Sequence, residues 1–119
     1  MINKVIIYTD GACSGNPGYG GWGAYLIYEN NNKKISGSEV NTTNNRMELR
    51  AAIEGLSALK RPCKVMLYTD SVYLKDGITK WIIKWEKNNW KNANKKEVKN
   101  KDLWIKLLEA VKIHQIEWN

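Results

Sequence analysis

An apolar run ends on Tyr-Thr-Asp twice in this chain, as VIIYTDG at residues 5–11 and as VMLYTDS at residues 65–71. Each reads as a strand that stops on a carboxylate. Asp suits strand ends because its side chain bonds nearby backbone, so coincidence is one explanation. The other is that the two strands lie side by side and bring Asp10 and Asp70 to one edge. Two carboxylates about 4 Å apart repel by roughly 4 kcal/mol at an effective dielectric near 20, so such a pair needs a shared proton or a cation. The second explanation restricts the fold, because neighbouring parallel strands need a crossover between them.

The intervening segments supply one. Val5–Tyr8 is continuously apolar, so the first strand, residues 3–9, is expected to be buried on both faces. A glycine-rich stretch, GACSGNPGYGGWG, leads to a second strand at Ala24–Tyr28. ENNNKK reads as a turn whose asparagines take positive φ, and Lys34–Val40 as a more exposed third strand. Asn45 is the predicted N-cap of a helix with Leu49, Ala52, Ile53, Leu56 and Leu59 on one face, ended by Pro62. Val65–Thr69 is the fourth strand. Ser71 caps a short helix through Ile78, and Trp81, Ile82 and Trp85 continue as a helical stretch. Residues 87–101 have no apolar period and read as a loop, followed by a helix at Asp102–Val111 and a strand at Ile113–Trp118. This is an α/β order in which the first three strands form an antiparallel meander and the fourth lies parallel to the first.

Length fits one domain, residues 1–119, and a hydrophobic content of 43% is that of a globular chain. No apolar run approaches the roughly 20 residues of a membrane span, and MINKVIIY reads as a first strand rather than a secretory signal. Cys13 and Cys63 lack metal-type spacing and are read as free thiols of a reducing cytoplasm. Net charge is +7, and residues 74–112 hold eleven lysines against five acids. That concentration fits either a polyanion-binding surface or a solvated basic face.

Ligands gather beyond the carboxyl ends of parallel strands, where Asp10 and Asp70 are expected. Glu48, in the first turn of the crossover helix, is the third candidate. Alone, Asn45-x-x-Glu48 is better explained as a capping box. Beside two strand-end aspartates, a three-carboxylate site for Mg²⁺ or Mn²⁺ becomes the better reading, since oxygen-only ligands do not suit zinc. GYGGWG contains G-x-G-x-x-G, but it opens a strand, so it is no dinucleotide fingerprint. SGNPG ahead of it serves either close packing or the approach of backbone amides to a nucleic-acid strand. Between Trp81 and Trp104, tryptophans alternate with lysines, as suits phosphates and nucleotide faces. Trp81 and Trp85 have helical spacing, so at least one belongs to the core; Trp90 sits among polar residues and is harder to place there. His114, the only histidine, is read as structural.

TDGACSGNPGYGGWGAYL, TTNNRMELRAAIEGL, YTDSVY, and GITKWI followed by LW resemble bacterial ribonuclease H of type 1, over about residues 3 to 118. The resemblance implies a ribonuclease H-like fold: a five-stranded mixed sheet, strands 1–3 antiparallel, strands 4 and 5 parallel to strand 1, flanked by helices. It implies endonucleolytic hydrolysis of the RNA strand of RNA–DNA hybrids, giving 5′-phosphate and 3′-hydroxyl ends. A two-metal site would be held by Asp10, Glu48 and Asp70, with Asp10 bridging; one ion orients the attacking water, the other stabilises the leaving oxygen. Cys13, Asn16, Asn44 and Asn45 match positions that sense 2′-hydroxyls in the minor groove, and Thr43 matches a DNA-strand phosphate contact. Trp81, Lys84, Lys87 and Trp90 match the DNA side of a substrate-binding protrusion, here about residues 80–101.

Two departures stand out. Val72 occupies a position that is polar in many members, which removes one expected substrate contact. The family also continues past its last strand into a loop with a histidine and a helix with a fourth carboxylate, and this sequence stops at Asn119. The expectation is a C-terminally incomplete domain, a fragment of a longer enzyme, with weak or absent cleavage and partly retained hybrid binding. It is expected to be monomeric, with an uncovered apolar sheet face as the route to association. A non-catalytic hybrid-binding module is the rival function. An aspartyl phospho-receiver, which also gathers acids at strand ends, needs alternating βα units and conflicts with the opening meander.

Overall fold

The computed structural model describes residues 3–119; Met1 and Ile2, part of the expected domain span, lie outside the described residues. Five strands form one sheet in the order β3-β2-β1-β4-β5. They are β1 (Asn3–Gly15), β2 (Gly18–Tyr28), β3 (Asn31–Thr42), β4 (Cys63–Tyr68) and β5 (Gln115–Trp118). The meander β1-β2-β3 is antiparallel, and β4 runs parallel to both β1 and β5, as the α/β reading required. The crossover is α1 (Asn44–Ser57).

β1 differs from its expected form in two ways. It runs on through Asp10 to Gly15, because the glycine-rich stretch pairs residue by residue with β2 down to Gly15 and Gly18. It is also buried on one face only. Val5, Ile7 and Thr9 face α1 and are buried, whereas Tyr8 is 46% exposed on the other face beside half-exposed Ile6 and Met66. Tyr8 and Tyr68, paired across β1 and β4, stack there with centroids 5.0 Å apart. A continuous apolar run thus served two unlike faces. The β2–β3 turn is Glu29–Asn30, and the positive φ falls on Glu29, not on an asparagine.

Under α1 the core joins Leu49, Ala52, Ile53 and Leu56 to Ile7, Ala24, Leu26, Val65 and Leu67. Ser71 caps α2 (Val72–Asp76) by accepting the Leu74 N–H at 3.0 Å. α2 does not stop there. It passes through a π-helical turn, Gly77–Trp81, into α3 (Ile82–Lys87). A Cβ at Gly77 would overlap the ring of Trp104, which is fully buried on α4 (Lys101–Ile113). α4 begins and ends within two residues of its expected limits, and β5 is correspondingly shorter than expected. His114 sits at their junction. Its Nδ1 accepts the Cys63 N–H at 3.0 Å, tying the start of β4 to the end of α4. Both cysteines are free thiols.

Two outcomes follow from these contacts. Gly77→Ala forces a methyl against a ring that cannot retreat, so stability should fall by about 1–3 kcal/mol, read as a lower urea midpoint at unchanged slope. Burial holds His114 below its ordinary pKa of 6.5, partly offset by its bond to the Leu56 carbonyl. The unfolded chain therefore takes up the proton first, and this contribution to stability is lost as pH falls below about 6.5. Urea unfolding at pH 7.5 and 5.5 should show that loss in the parent and a smaller one in His114→Asn.

Candidate active site and nucleic-acid surface

β1 and β4 pair in parallel as far as Tyr8 and Tyr68, and the acids lie two residues beyond that pair. Asp10 is exposed in mid-strand, not at a strand end, and stands opposite Gly23 of β2. Gly23 has no side chain to cover it. Asp70 is exposed just past β4 and just before the Ser71 cap. The chain around it is held on both sides. Thr9 Oγ1 donates to the Tyr68 carbonyl at 3.3 Å, Thr69 Oγ1 accepts the Ser71 N–H at 3.1 Å, and the Thr69 N–H reaches the Asn119 carbonyl at 3.0 Å.

Glu48 comes from α1, and the expected capping box does not form. Thr43 is the N-cap, its Oγ1 accepting the Arg46 N–H at 3.2 Å. The helix thus starts two residues earlier than predicted, which puts Glu48 beyond the capping turn. Its side chain instead turns into the gap beside β1. A Cβ at Gly11 would overlap the backbone of Met47 and Glu48, so strand and helix meet backbone to backbone. Glu48 is 6% exposed, and its Oε1 is buried without a hydrogen-bond partner.

Burial raises the Glu48 carboxyl from 4.5 to about 7; the Gly11 backbone opposes the rise, and the charges of Asp10 and Asp70 add to it. The three acids therefore act on one another. They do not form a closed cage: among the described residues, no three Asp, Glu, His or Cys side chains are grouped tightly enough to hold a metal ion. Mutual repulsion of carboxylates opposes such a grouping. A buried oxygen with a free lone pair, beside two exposed carboxylates, still suits a hard, oxygen-seeking cation.

The tip of the β1–β2 hairpin lies against the first turn of α1. Cys13 Sγ donates to the Thr42 carbonyl at 3.3 Å, and the Asn44 N–H reaches Asn16 Oδ1 at 3.4 Å. Asn16, Asn44 and Asn45 are exposed, Cys13 and Thr43 half-buried. These five candidates thus form one edge. Gly20 belongs to packing, since a Cβ there would overlap Thr42 beneath α1.

The basic segment begins at the end of the π-helical turn and runs on into α3. Trp81 is 37% exposed, and Lys84 and Lys87 are exposed. Trp85 and Trp90 both pack against the core, with ring centroids 6.3 Å apart. For Trp90 the polar surroundings in sequence were misleading: its φ of 61° turns it inward, and its carbonyl accepts the Val98 N–H across the loop at 2.9 Å. Lys91, Lys95, Lys96 and Lys99 remain exposed around it. Two residues with positional roles escaped the sequence. Gly11 carried a signal, a glycine directly after the first Tyr-Thr-Asp. Arg46 carried none, because its partners are more than fifty residues away.

The Glu48 pKa fixes the sign of a pH effect. Between about 4.5 and 7 the folded chain keeps a proton that the unfolded chain has lost, so each rise in pH costs the folded state. With chelator present, stability should fall across that window and level off above it. Glu48→Gln should remove the slope and be more stable at pH 8 by about 1–3 kcal/mol, measured by urea unfolding.

A family model described as RNase H matches residues 2–119. The ribonuclease H of Hydrogenovibrio crunogenus is 61% identical over 117 residues, 98% of this chain and 81% of that protein. That of Caldanaerobacter subterraneus subsp. tengcongensis is 64% identical over 118 residues, 98% of this chain and 77% of that protein. Among solved structures, LC9-RNase H1, described as a type 1 RNase H with the type 2 active-site motif, is 33% identical with a TM-score of 0.89, covering 100% of this chain and 63% of that one. LC11-RNase H1 in complex with an RNA/DNA hybrid is 25% identical with a TM-score of 0.66, covering 97% of this chain and 84% of that one.

Proposed function

Since the chain belongs to the ribonuclease H family, we propose that it binds RNA–DNA hybrids and hydrolyses their RNA strand with the help of divalent cations, leaving 5′-phosphate and 3′-hydroxyl ends. The observation that carries this is the unpartnered Oε1 of buried Glu48, within the charge field of Asp10 and Asp70. A buried polar atom without a partner is destabilising, and native proteins keep few of them. A Mg²⁺ or Mn²⁺ ion held by Asp10, Glu48 and Asp70 would satisfy it. Bound there, the cation would supply Lewis-acid polarisation of a phosphate oxygen and a water acidified enough to attack phosphorus.

The chain's own residues do the rest. Gly11 and the first turns of α1 fix Glu48, while Thr9, Thr69 and Asn119 fix the backbone around Asp70. Cys13, Asn16, Asn44 and Asn45 present one edge to a minor groove, where a 2′-hydroxyl distinguishes RNA from DNA. The Thr43 oxygen accepts from Arg46, which leaves its hydroxyl proton free to donate to a phosphate. Trp81, Lys84 and Lys87 face solvent, as contacts to a second strand require; Trp90 works from below, packed on Trp85. The free thiols Cys13 and Cys63 agree with a cytoplasmic setting. No helix among the described residues is long and apolar enough to cross a membrane.

A second reading is a hybrid-binding domain that cuts weakly or not at all. It is favoured by the exposed lysines of the basic segment, Lys84, Lys87, Lys91, Lys95, Lys96 and Lys99, which can hold a polyanion without any divalent cation.

One assay separates them: labelled hybrid with the 119-residue chain in Mg²⁺ or Mn²⁺, beside Asp10→Asn. The proposal expects cation-dependent cutting that falls roughly a hundredfold or more in the variant, the scale of losing one electrostatic group at a reacting centre. Retardation of the hybrid without cutting supports the second reading. A chain that neither cuts nor retards it overturns both.

A further inference from the structure

Arg46, third residue of α1, is bound to the far end of the basic loop. Its Nη1 donates to Asp102 Oδ1 at 3.0 Å and to Asn100 Oδ1 at 3.1 Å, and its Nη2 donates to Asp102 Oδ2 at 2.7 Å. Asn100 is where the loop ends and α4 begins. It has a left-handed φ of 62°, and its carbonyl accepts the N–H groups of Leu103 and Trp104 at 3.0 Å. Its Nδ2 donates to the Tyr73 hydroxyl at 3.0 Å, as does Trp104 Nε1 at 3.1 Å. The Tyr73 ring lies 5.9 Å from that of Trp81, the exposed aromatic at the head of the basic segment. On its other side, the Arg46 backbone is held by the Thr43 hydroxyl, next to exposed Asn44 and Asn45.

A continuous set of contacts therefore joins the first turn of α1 to the basic segment, and Arg46 is its middle. A two-pronged guanidinium–carboxylate pair fixes direction as well as distance. The prongs are turned to Asp102 and Asn100, so the guanidinium serves the protein's own groups rather than an incoming phosphate.

We propose that Arg46 is a positioning residue for the hybrid: it sets the spacing between the α1 edge and the basic segment so that one duplex engages both at once. This rests on the hybrid-binding reading above. Two surfaces that grip one rigid ligand reinforce each other only while their spacing permits simultaneous contact. With the fork broken, each surface keeps its own groups but the duplex meets them one at a time.

The test uses the Asp10→Asn chain as non-cutting parent. Binding of a labelled hybrid and of a DNA duplex of the same sequence is followed by anisotropy across a salt series in Mg²⁺. Arg46→Met and Asp102→Asn are made singly and together, with folding checked by circular dichroism. Asp102→Asn preserves shape and removes a negative charge, so simple electrostatics would strengthen binding. Positioning expects the opposite: both single variants weaken hybrid binding about tenfold, and the pair is no weaker than either. The slope of log affinity against log salt falls in both single variants, because fewer cationic groups meet the duplex at once, and Lys84→Ala loses less affinity in the Asp102→Asn background than in the parent.

Two results overturn the proposal. In one, only Arg46→Met weakens binding and the salt slope drops by about 0.9, the signature of one lost phosphate contact. In the other, folded variants bind the hybrid as the parent does. A parent without preference for hybrid over DNA overturns the hybrid reading, and this proposal with it; a parent that prefers the hybrid beside unaltered variants overturns the positioning role alone.

Discussion

Everything in the site depends on how closely β1 and α1 approach at Gly11. No side chain fits between that residue and the backbone of Met47 and Glu48. The contact brings a helix-borne carboxylate to the strand that carries Asp10. It also buries that carboxylate, and burial is the largest influence raising its pKa to about 7. A methyl group at Gly11 would separate the helix from the strand and disperse the three acids without removing any of them. The site is thus specified by an absence of volume as much as by the acids themselves.

The sheet has two unlike faces, and the chemistry sits where they meet. On one side α1 and α4 cover a dense core that includes fully buried Trp104. On the other, Tyr8, Tyr68, Ile6 and Met66 form a band that is stacked but open. Asp10 belongs to the open side by alternation along β1, whereas Glu48 arrives from the covered side. A ligand held between them would be shielded by the helix and reachable past the sheet. The basic segment belongs to the covered side, where Trp85 packs on Trp104 of α4, and it leaves Lys84 and Lys87 exposed on α3.

Much of this was legible in the sequence, and the reasons are local. Repeated apolar runs ending on Asp gave the parallel pair β1–β4, since hydrophobic runs and turn residues act over a few positions. The periodic apolar face of α1 gave the crossover. What was not legible came from small local shifts of backbone and from contacts distant in sequence. Thr43 caps α1 rather than Asn45, and two residues of shift decided whether Glu48 was a capping group or a free carboxylate. The continuous run in β1 suggested burial on both faces because sequence cannot say what lies over each. Trp90 looked like a surface residue among lysines and asparagines, yet a left-handed backbone turns its ring onto Trp85. Arg46 meets Asn100 and Asp102 only through the tertiary fold.

The bonds around Asp70 carry a consequence for how the molecule comes into being. Thr69 is fastened by the Asn119 carbonyl, and Asn119 in turn donates to Leu67 across β4 and β5. Contacts between such distant positions form slowly, because chain closure precedes any reward. Asp10 leaves the ribosome early and waits for a partner sixty residues behind it. Until β5 has paired with β4, the stretch leading into Asp70 lacks its ties to Asn119, so the backbone under the acidic cluster is completed late in folding.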